Sequence, residues 1–199
     1  MGINITNNLS WNKHIKEVIK KISKYIGIIK RVKKMVDKKT IKELYYALIH
    51  SNLNYCIPVW GKTSKTNNNE IIKVQNKILE MLEPQLYNEG KIREIRLKHE
   101  ILTIQGIYSV KIGIIMYKRI KKNLYAEEIE LRKREYIHDI REKKEFVEKK
   151  IRIERSREMI EIEGVRYWNK LPKTLKEINN LNKFKKEIKK WELSKTNEI

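Results

Sequence analysis

One cysteine, three prolines, two phenylalanines and two aspartates are a thin supply for a chain of 199 residues. A lone cysteine, Cys56, can form neither an internal disulfide nor a cysteine-based zinc site, so a reducing intracellular setting, cytoplasm or nucleus, is expected. The two aspartates, Asp37 and Asp139, lie far apart in sequence, and neither belongs to a Tyr-x-Asp-Asp turn. Nucleotide polymerisation needs paired carboxylates around two divalent metals, so the chain is expected to have no catalytic residue and no metal site of that kind. A Gly-rich phosphate loop, an activated serine or cysteine and a zincin signature are also missing. No cofactor is therefore implied. His14, His50, His99 and His138 show no metal-ligand spacing and read as surface or capping residues. No segment reaches the roughly 18 uninterrupted apolar residues of a membrane span, and the first residues carry no apolar signal core. A soluble chain with no membrane partner is the expectation.

Positive charge is what the chain has in excess. Lys+Arg 46 against Asp+Glu 25 leaves a formal net charge of +21, a surplus that favours a polyanionic partner such as RNA, DNA or anionic lipid. Lysine, isoleucine and asparagine are also what an AT-rich coding sequence produces, so the placement of charge matters more than its amount. Trp11, Ile15, Val18, Ile19, Ile22, Tyr25, Ile26, Ile29, Val32 and Val36 recur at three- and four-residue steps, predicting one long amphipathic helix. On the same helical wheel Lys13, Lys16, Lys20, Lys24, Arg31 and Lys34 fall opposite that stripe, together with Lys38. Residues 11–40 hold eleven basic and two acidic side chains, net +9. Compositional bias raises the lysine count without aligning lysines on one side. Solvent, however, asks only that this face be polar, so an ordinary solvated face is the alternative.

Further along, Thr40 and Glu43 have capping-box spacing and predict a second helix through Ile41, Leu44, Tyr45, Leu48 and Ile49, closed by Pro58 and Gly61. The polar run from Lys62 to Asn69 reads as a loop. Ile71, Ile72, Val74, Ile78, Leu79 and Leu82 predict a third helix that stops before Pro84. An apolar stretch from Ile104 to Ile120 predicts a buried helix containing Gly106 and Gly113, which each cost up to about 1 kcal/mol of helix propensity unless they permit close packing. Residues 127–163 carry twelve acidic and eleven basic side chains. Within them Ile151, Ile153, Ile160 and Ile162 alternate with charged residues, predicting a small hairpin over about 150–163. Leu181, Phe184, Ile188 and Trp191 pattern a last helix rich in lysine. The fold class expected is mainly α, a two-lobed helical bundle: a first helical domain over 1–84 and a C-terminal helical domain, containing the hairpin, over 85–199.

Several stretches carry a resemblance. Gly2-Ile3-Asn4-Ile5, Asn8-Leu9-Ser10-Trp11 and His14-Ile15 resemble the segment that follows the palm in LINE-type, non-LTR retrotransposon reverse transcriptases, the jockey-like mobile-element RNA-directed DNA polymerases. Lys21-Ile22-Ser23, Ile26-Gly27-Ile28, Leu44-Tyr45-Tyr46-Ala47-Leu48-Ile49, Leu53-Asn54-Tyr55-Cys56 and Val59-Trp60-Gly61 follow in that family's order. Ile112-Gly113-Ile114 with Met116-Tyr117-Lys118 is similar to its central helix, and Gly164-Val165-Arg166-Tyr167-Trp168-Asn169-Lys170-Leu171-Pro172 looks like its closing motif. Two departures stand out: Thr6 replaces the acidic residue often found before Leu-Ser-Trp, and only Arg141 stands where a Thr-Arg pair is usual.

The resemblance implies the thumb and C-terminal part of such an enzyme, without fingers, palm or their carboxylates, and so no polymerisation by this chain alone. It also implies the partners: a template-primer duplex or element RNA, hence RNA or DNA, and a palm and fingers polypeptide. Trp11, Tyr55, Trp60, Trp168, Leu171 and Pro172, which carry the motifs, are expected in the core, and the three tryptophans read as core anchors rather than base-stacking platforms because each sits among apolar neighbours at core spacing. Tyr45 and Tyr46 read as packing residues too. Two other function classes remain open. One is a non-enzymatic helical interaction protein or a decayed transposon fragment without function; the other is membrane-surface binding by the basic amphipathic helix.

Overall fold

The structure, a computed structural model, describes residues 2–4, 6–7, 10–125, 131, 145–148 and 160–195. Regular structure among them is helical, with a single bridge residue at Phe146, so the fold is mainly α. The chain divides into two compact units, Met1–Tyr108 with Glu192–Ile199, and Ser109–Trp191. The first unit thus runs on past Pro84.

In the first unit, α1 (Asn12–Val32) opens at Trp11 and buries Ile15, Ile22, Ile26 and Ile29, one stripe of the wheel. It ends four residues before Val36, in a turn over 33–35 that lets the chain reverse. Asp37 then caps α2 (Lys38–Leu44), its carboxylate accepting the Thr40 N–H at 2.8 Å. Thr40 was expected to open this helix with Glu43, but it lies one turn inside, because Asp37 offers a carboxylate oxygen three residues earlier from an extended backbone. A π-helical stretch (Tyr45–His50) continues α2 into α3 (Ser51–Asn54), burying Tyr45, Ile49 and Leu53. Cys56 turns the chain with φ 48°, and α4 (Ile57–Trp60) follows.

Ser64 caps α5 (Lys65–Leu82) by accepting the Asn67 N–H at 3.3 Å, so the polar run expected to be loop from Lys62 to Asn69 is loop only as far as Ser64 and from Lys65 opens this helix. Local capping overrides the loop-like composition there. α6 (Pro84–Asn88) and α7 (Ile92–His99) come next, and α8 (Ile104–Lys122) begins within this unit and continues into the second. α1 and α2 pack on α5, as do α6 and α7, while α1 also meets α3 and the π-helical stretch. α5 is therefore the hub of the core, contributing Ile71, Ile78, Leu79 and Leu82. Its Gln75, 1% exposed, donates through Nε2 to Tyr45 Oη and to the Leu102 carbonyl, both at 3.2 Å. Burial pushes the Tyr45 hydroxyl well above its ordinary pKa, so it stays neutral.

The second unit is assembled from the rest of α8, residues 145–148, α9 (Ile160–Lys170), α10 (Lys173–Lys176) and most of α11 (Leu181–Lys195). Gly113 shows why α8 tolerates glycine: a Cβ there would lie 2.3 Å from Ile188 Cδ1 and 2.8 Å from Tyr167 Cε1, so α8, α9 and α11 meet at this point. Phe146 N–H donates to Asn169 Oδ1 at 3.1 Å and Asn169 Nδ2 donates back to the Phe146 carbonyl at 2.9 Å, fixing the short segment on α9. The hairpin expected over about 150–163 does not hold for Ile160 and Ile162. They open α9, where Ile162, Val165 and Trp168 bury at helical spacing and Glu161 and Glu163 sit in a first turn that favours negative charge. Residues 150–159 lie outside the described residues.

Candidate nucleic-acid interface

The face of α1 turned away from Ile15, Ile22, Ile26 and Ile29 is the candidate site. Lys13, Lys16, Lys20, Lys24 and Arg31 are all exposed there, and Lys34 is exposed in the turn that follows. From Lys13 to Arg31 the row runs about 27 Å along the helix axis. None of the six cations has an ion-pair partner among the described residues. Arg31 only donates, through Nε, to the Gly27 carbonyl one turn back at 3.3 Å. Glu17 is the one carboxylate within α1, and Asn4 Nδ2 donates to it. Like charges repel, so nothing within the row holds it in place. The buried stripe fixes α1, and the lysines follow from the wheel.

Beside the N-terminal half of this row lies an open trough of about 930 Å³, lined by Asn4, Thr6, Asn7, Ser10 and Asn12 together with Lys13, Lys16, Glu17 and Lys20. Every lining side chain is polar or charged, as suits a hydrated anion rather than an apolar ligand. Thr6 and Ser10 brace the chain entering the trough: the Thr6 hydroxyl accepts the Ser10 N–H at 3.0 Å and lies at 3.0 Å from the Ser10 carbonyl. Asn67 Nδ2 donates to Asn12 Oδ1 at 2.8 Å, pinning the start of α1 to the start of α5.

The motif residues separate into three groups. Trp60, Trp168 and Leu171 are buried, at 0%, 1% and 4% exposure, and both indoles have partners: Trp60 Nε1 donates to the Tyr55 carbonyl at 2.8 Å and Trp168 Nε1 to Glu145 Oε2 at 2.9 Å. Trp11 and Pro172 are half-buried. Tyr55, expected in the core, is exposed at 38%. It stands at the end of α3, just before the left-handed turn at Cys56, so its carbonyl serves the core while its ring stays outside. Tyr45 is fully buried and Tyr46 half-buried, its hydroxyl donating to the Glu100 carbonyl at 2.9 Å.

Sequence reading missed the buried polar groups. His14, at 4% exposure, and His99, at 8%, are not surface residues. His14 stacks edge-on against Trp11 and Trp60, and burial lowers its pKa, so the neutral ring is favoured despite Glu17 nearby. His99 Nε2 lies 3.0 Å from Glu83 Oε1, beside Lys98 Nζ at 2.7 Å on the same oxygen, while Lys38 Nζ reaches Glu83 Oε2 at 2.8 Å. Those donors, Lys38 foremost and then Lys98, hold the Glu83 carboxyl down at about 2. A glutamate ahead of Pro84 gives no hint in sequence that three donors converge on it. His50 is half-buried, and His138 lies outside the described residues.

Among the described residues no group of three or more His, Cys, Asp or Glu side chains could hold a metal ion, and no helix is long and apolar enough to cross a membrane. Asp37 is committed to its cap, and Asp139 lies outside the described residues. Compared with protein-family models, with curated proteins and with solved structures, the chain matches none.

Proposed function

We propose that this chain is a nucleic-acid-binding part of a LINE-type reverse transcriptase, gripping a template-primer duplex or element RNA through the phosphate backbone and leaving polymerisation to a palm and fingers polypeptide. The observation that carries the binding half is the row of five exposed cations on α1, continued by Lys34 in the turn after it, with no ion-pair partner among the described residues. Lysines that merely keep a surface soluble have no need to remain unneutralised in a line about 27 Å long. Such a row matches a duplex, which carries a phosphate charge every ~1.7 Å of axis. The open polar trough at its N-terminal half offers room for a hydrated backbone. The enzyme half of the reading rests on the motif order quoted above, from Leu-Ser-Trp to Trp-Asn-Lys-Leu-Pro.

Phosphate neutralisation makes a quantitative demand. Each lysine that contacts a phosphate releases condensed counterion, so with roughly four to six contacts on duplex the logarithm of affinity falls against the logarithm of salt with a slope of about −4 to −5. Replacing Lys16, Lys20 and Lys24 by Gln flattens that slope by up to about 3 and leaves base preference nearly unchanged, since backbone contacts carry little sequence information. Titrations of parent and triple variant on an RNA/DNA hybrid at several salt concentrations test this. Equal slopes would assign the face to solvent and return the chain to a helical interaction protein. Extension of a primed RNA template by the purified chain with magnesium and nucleotides, above a heat-killed control, would overturn the division of labour.

A further inference from the structure

A carboxylate stands within the lysine face. Glu17 is exposed, lines the trough together with Lys13, Lys16 and Lys20, and is the one acidic side chain of α1. Lys13, Lys20 and Lys21 stand four, three and four residues from it, the spacings at which ion pairs form along a helix. Glu17 pairs with none of them. It is held instead by a neutral amide: Asn4 Nδ2 donates to Glu17 Oε2 in an exposed hydrogen bond, and Oε1 has no hydrogen-bond partner among the described residues. The other described side chains lining the trough are neutral hydrogen-bonding groups. Two kinds of charged group thus lie side by side there. The ammonium groups attract phosphate, whereas the carboxylate repels phosphate and accepts only from a donor such as a hydroxyl.

We infer that the strand held in the trough is RNA, its ribose 2′-hydroxyl donating to the Glu17 carboxylate while Lys13, Lys16 and Lys20 take the neighbouring phosphates. The inference rests on the nucleic-acid reading above and names the strand that this reading leaves open. In a nucleic-acid backbone the sugar lies between successive phosphates, so an acceptor set among phosphate-binding lysines meets the sugar before it meets a base. Ribose carries a donor at that place and deoxyribose carries only C–H. The rise from Lys16 to Lys20 is about 6 Å, with Glu17 between them, so one nucleotide can meet a cation and the carboxylate together. For RNA the carboxylate gains a charge-assisted hydrogen bond that offsets its repulsion of the phosphates. For DNA the repulsion stands alone. A grip on the backbone is indifferent to base sequence, yet in this way it registers the sugar.

The experiment measures binding of the full chain to strands of about 12 uracil nucleotides built on ribose, deoxyribose or 2′-fluoro sugars, at several salt concentrations. All three strands have the same charge and the same base edge, and the fluoro strand keeps the ribose pucker without the donor. The expected result is tighter binding of the ribose strand than of either other strand by about threefold or more. Glu17→Met removes charge and acceptor from an exposed position; the deoxyribose strand then binds more tightly than it does to the parent, and the preference for ribose falls to about one. Glu17→Gln keeps an acceptor and retains part of the preference. A carboxylate that is merely solvated gives equal gains for all three strands and an unchanged preference, and that outcome overturns the inference. So does a fluoro strand that binds like the ribose strand, because pucker rather than hydrogen bonding is then read. A parent preference of one with a steep salt slope removes the ribose contact and leaves the lysine row standing. If no strand binds at any salt concentration, the row fails and the ribose contact fails with it.

Discussion

Along α1, Lys13, Lys16, Lys20 and Lys24 are exposed and have no carboxylate partner among the described residues, whereas Lys38 and Lys98 in the same unit converge with His99 on one buried carboxylate, Glu83. Both sets of lysine tips are exposed; what differs is the anion. Glu83 is 8% exposed and accepts from three side chains contributed by the start of α2 and the end of α7, at the junction of α5 and α6. There, lysine is structural and its charge is spent inside the molecule. On α1 the charge remains available to something outside it. A count of +21 does not distinguish the two uses. Partner geometry does.

The contrast breaks most visibly at Glu83. Glu83→Gln leaves Lys38, Lys98 and His99 converging on a side chain that can no longer neutralise them, and the expected loss is about 2 kcal/mol of stability. The Lys16/Lys20/Lys24→Gln triple variant should lose under about 0.5 kcal/mol, because Gln keeps similar helix propensity and no partner is abandoned. Urea melts of the two variants beside the parent check this, and losses of equal size would erase the distinction.

Acid sharpens it. Glu83 has a folded pKa of about 2, below its ordinary 4.5. A carboxylate with a depressed folded pKa stabilises the native state above its unfolded pKa, and that contribution fades as pH falls through the folded value. Stability should therefore decline between about pH 4.5 and 2 by roughly 1 to 2 kcal/mol on account of Glu83, less than the bare shift implies because both lysine tips are solvated. The gap between parent and Glu83→Gln should narrow along the same ramp. The difference between parent and the α1 triple variant should stay flat; a change as large as at Glu83 would mean that those lysines hold an anionic partner in the fold.

A gain in stability is expected at Gly27, which lies on the lysine side of α1. A Cβ placed there meets nothing within 4 Å, so Gly27→Ala should raise stability by up to about 1 kcal/mol through helix propensity and a less flexible unfolded chain. Gly113, packed against Ile188 and Tyr167, offers the opposite control: alanine there should destabilise by about 1 to 3 kcal/mol. Thermal melts of the two single variants decide, and a loss at Gly27 would show that its face is packed rather than open.

Periodicity alone determined the mainly helical class, the buried stripe of α1 with its lysines on the far side, the buried stretch after Ile104 and the last helix through Phe184 and Ile188. In each, apolar residues at helical spacing have only one way to share a core, so pattern and structure coincide. Helix starts were less legible. Asp37 and Ser64 cap where Thr40 and a loop were expected, because a cap depends on which oxygen reaches the first free N–H groups rather than on composition. The alternation at Ile160 and Ile162 fitted a strand as well as the first turn of α9, and burial of Val165 and Trp168 decided it. Tertiary structure alone brought Lys38, Lys98 and His99 to Glu83, put Tyr55 outside, and lined one recess with His14 and Asn52. Lys38, Glu83 and the Lys98–His99 pair come from separate elements, and His14 and Asn52 stand 38 positions apart, so no local rule of spacing can foresee which of them meet once the helices pack.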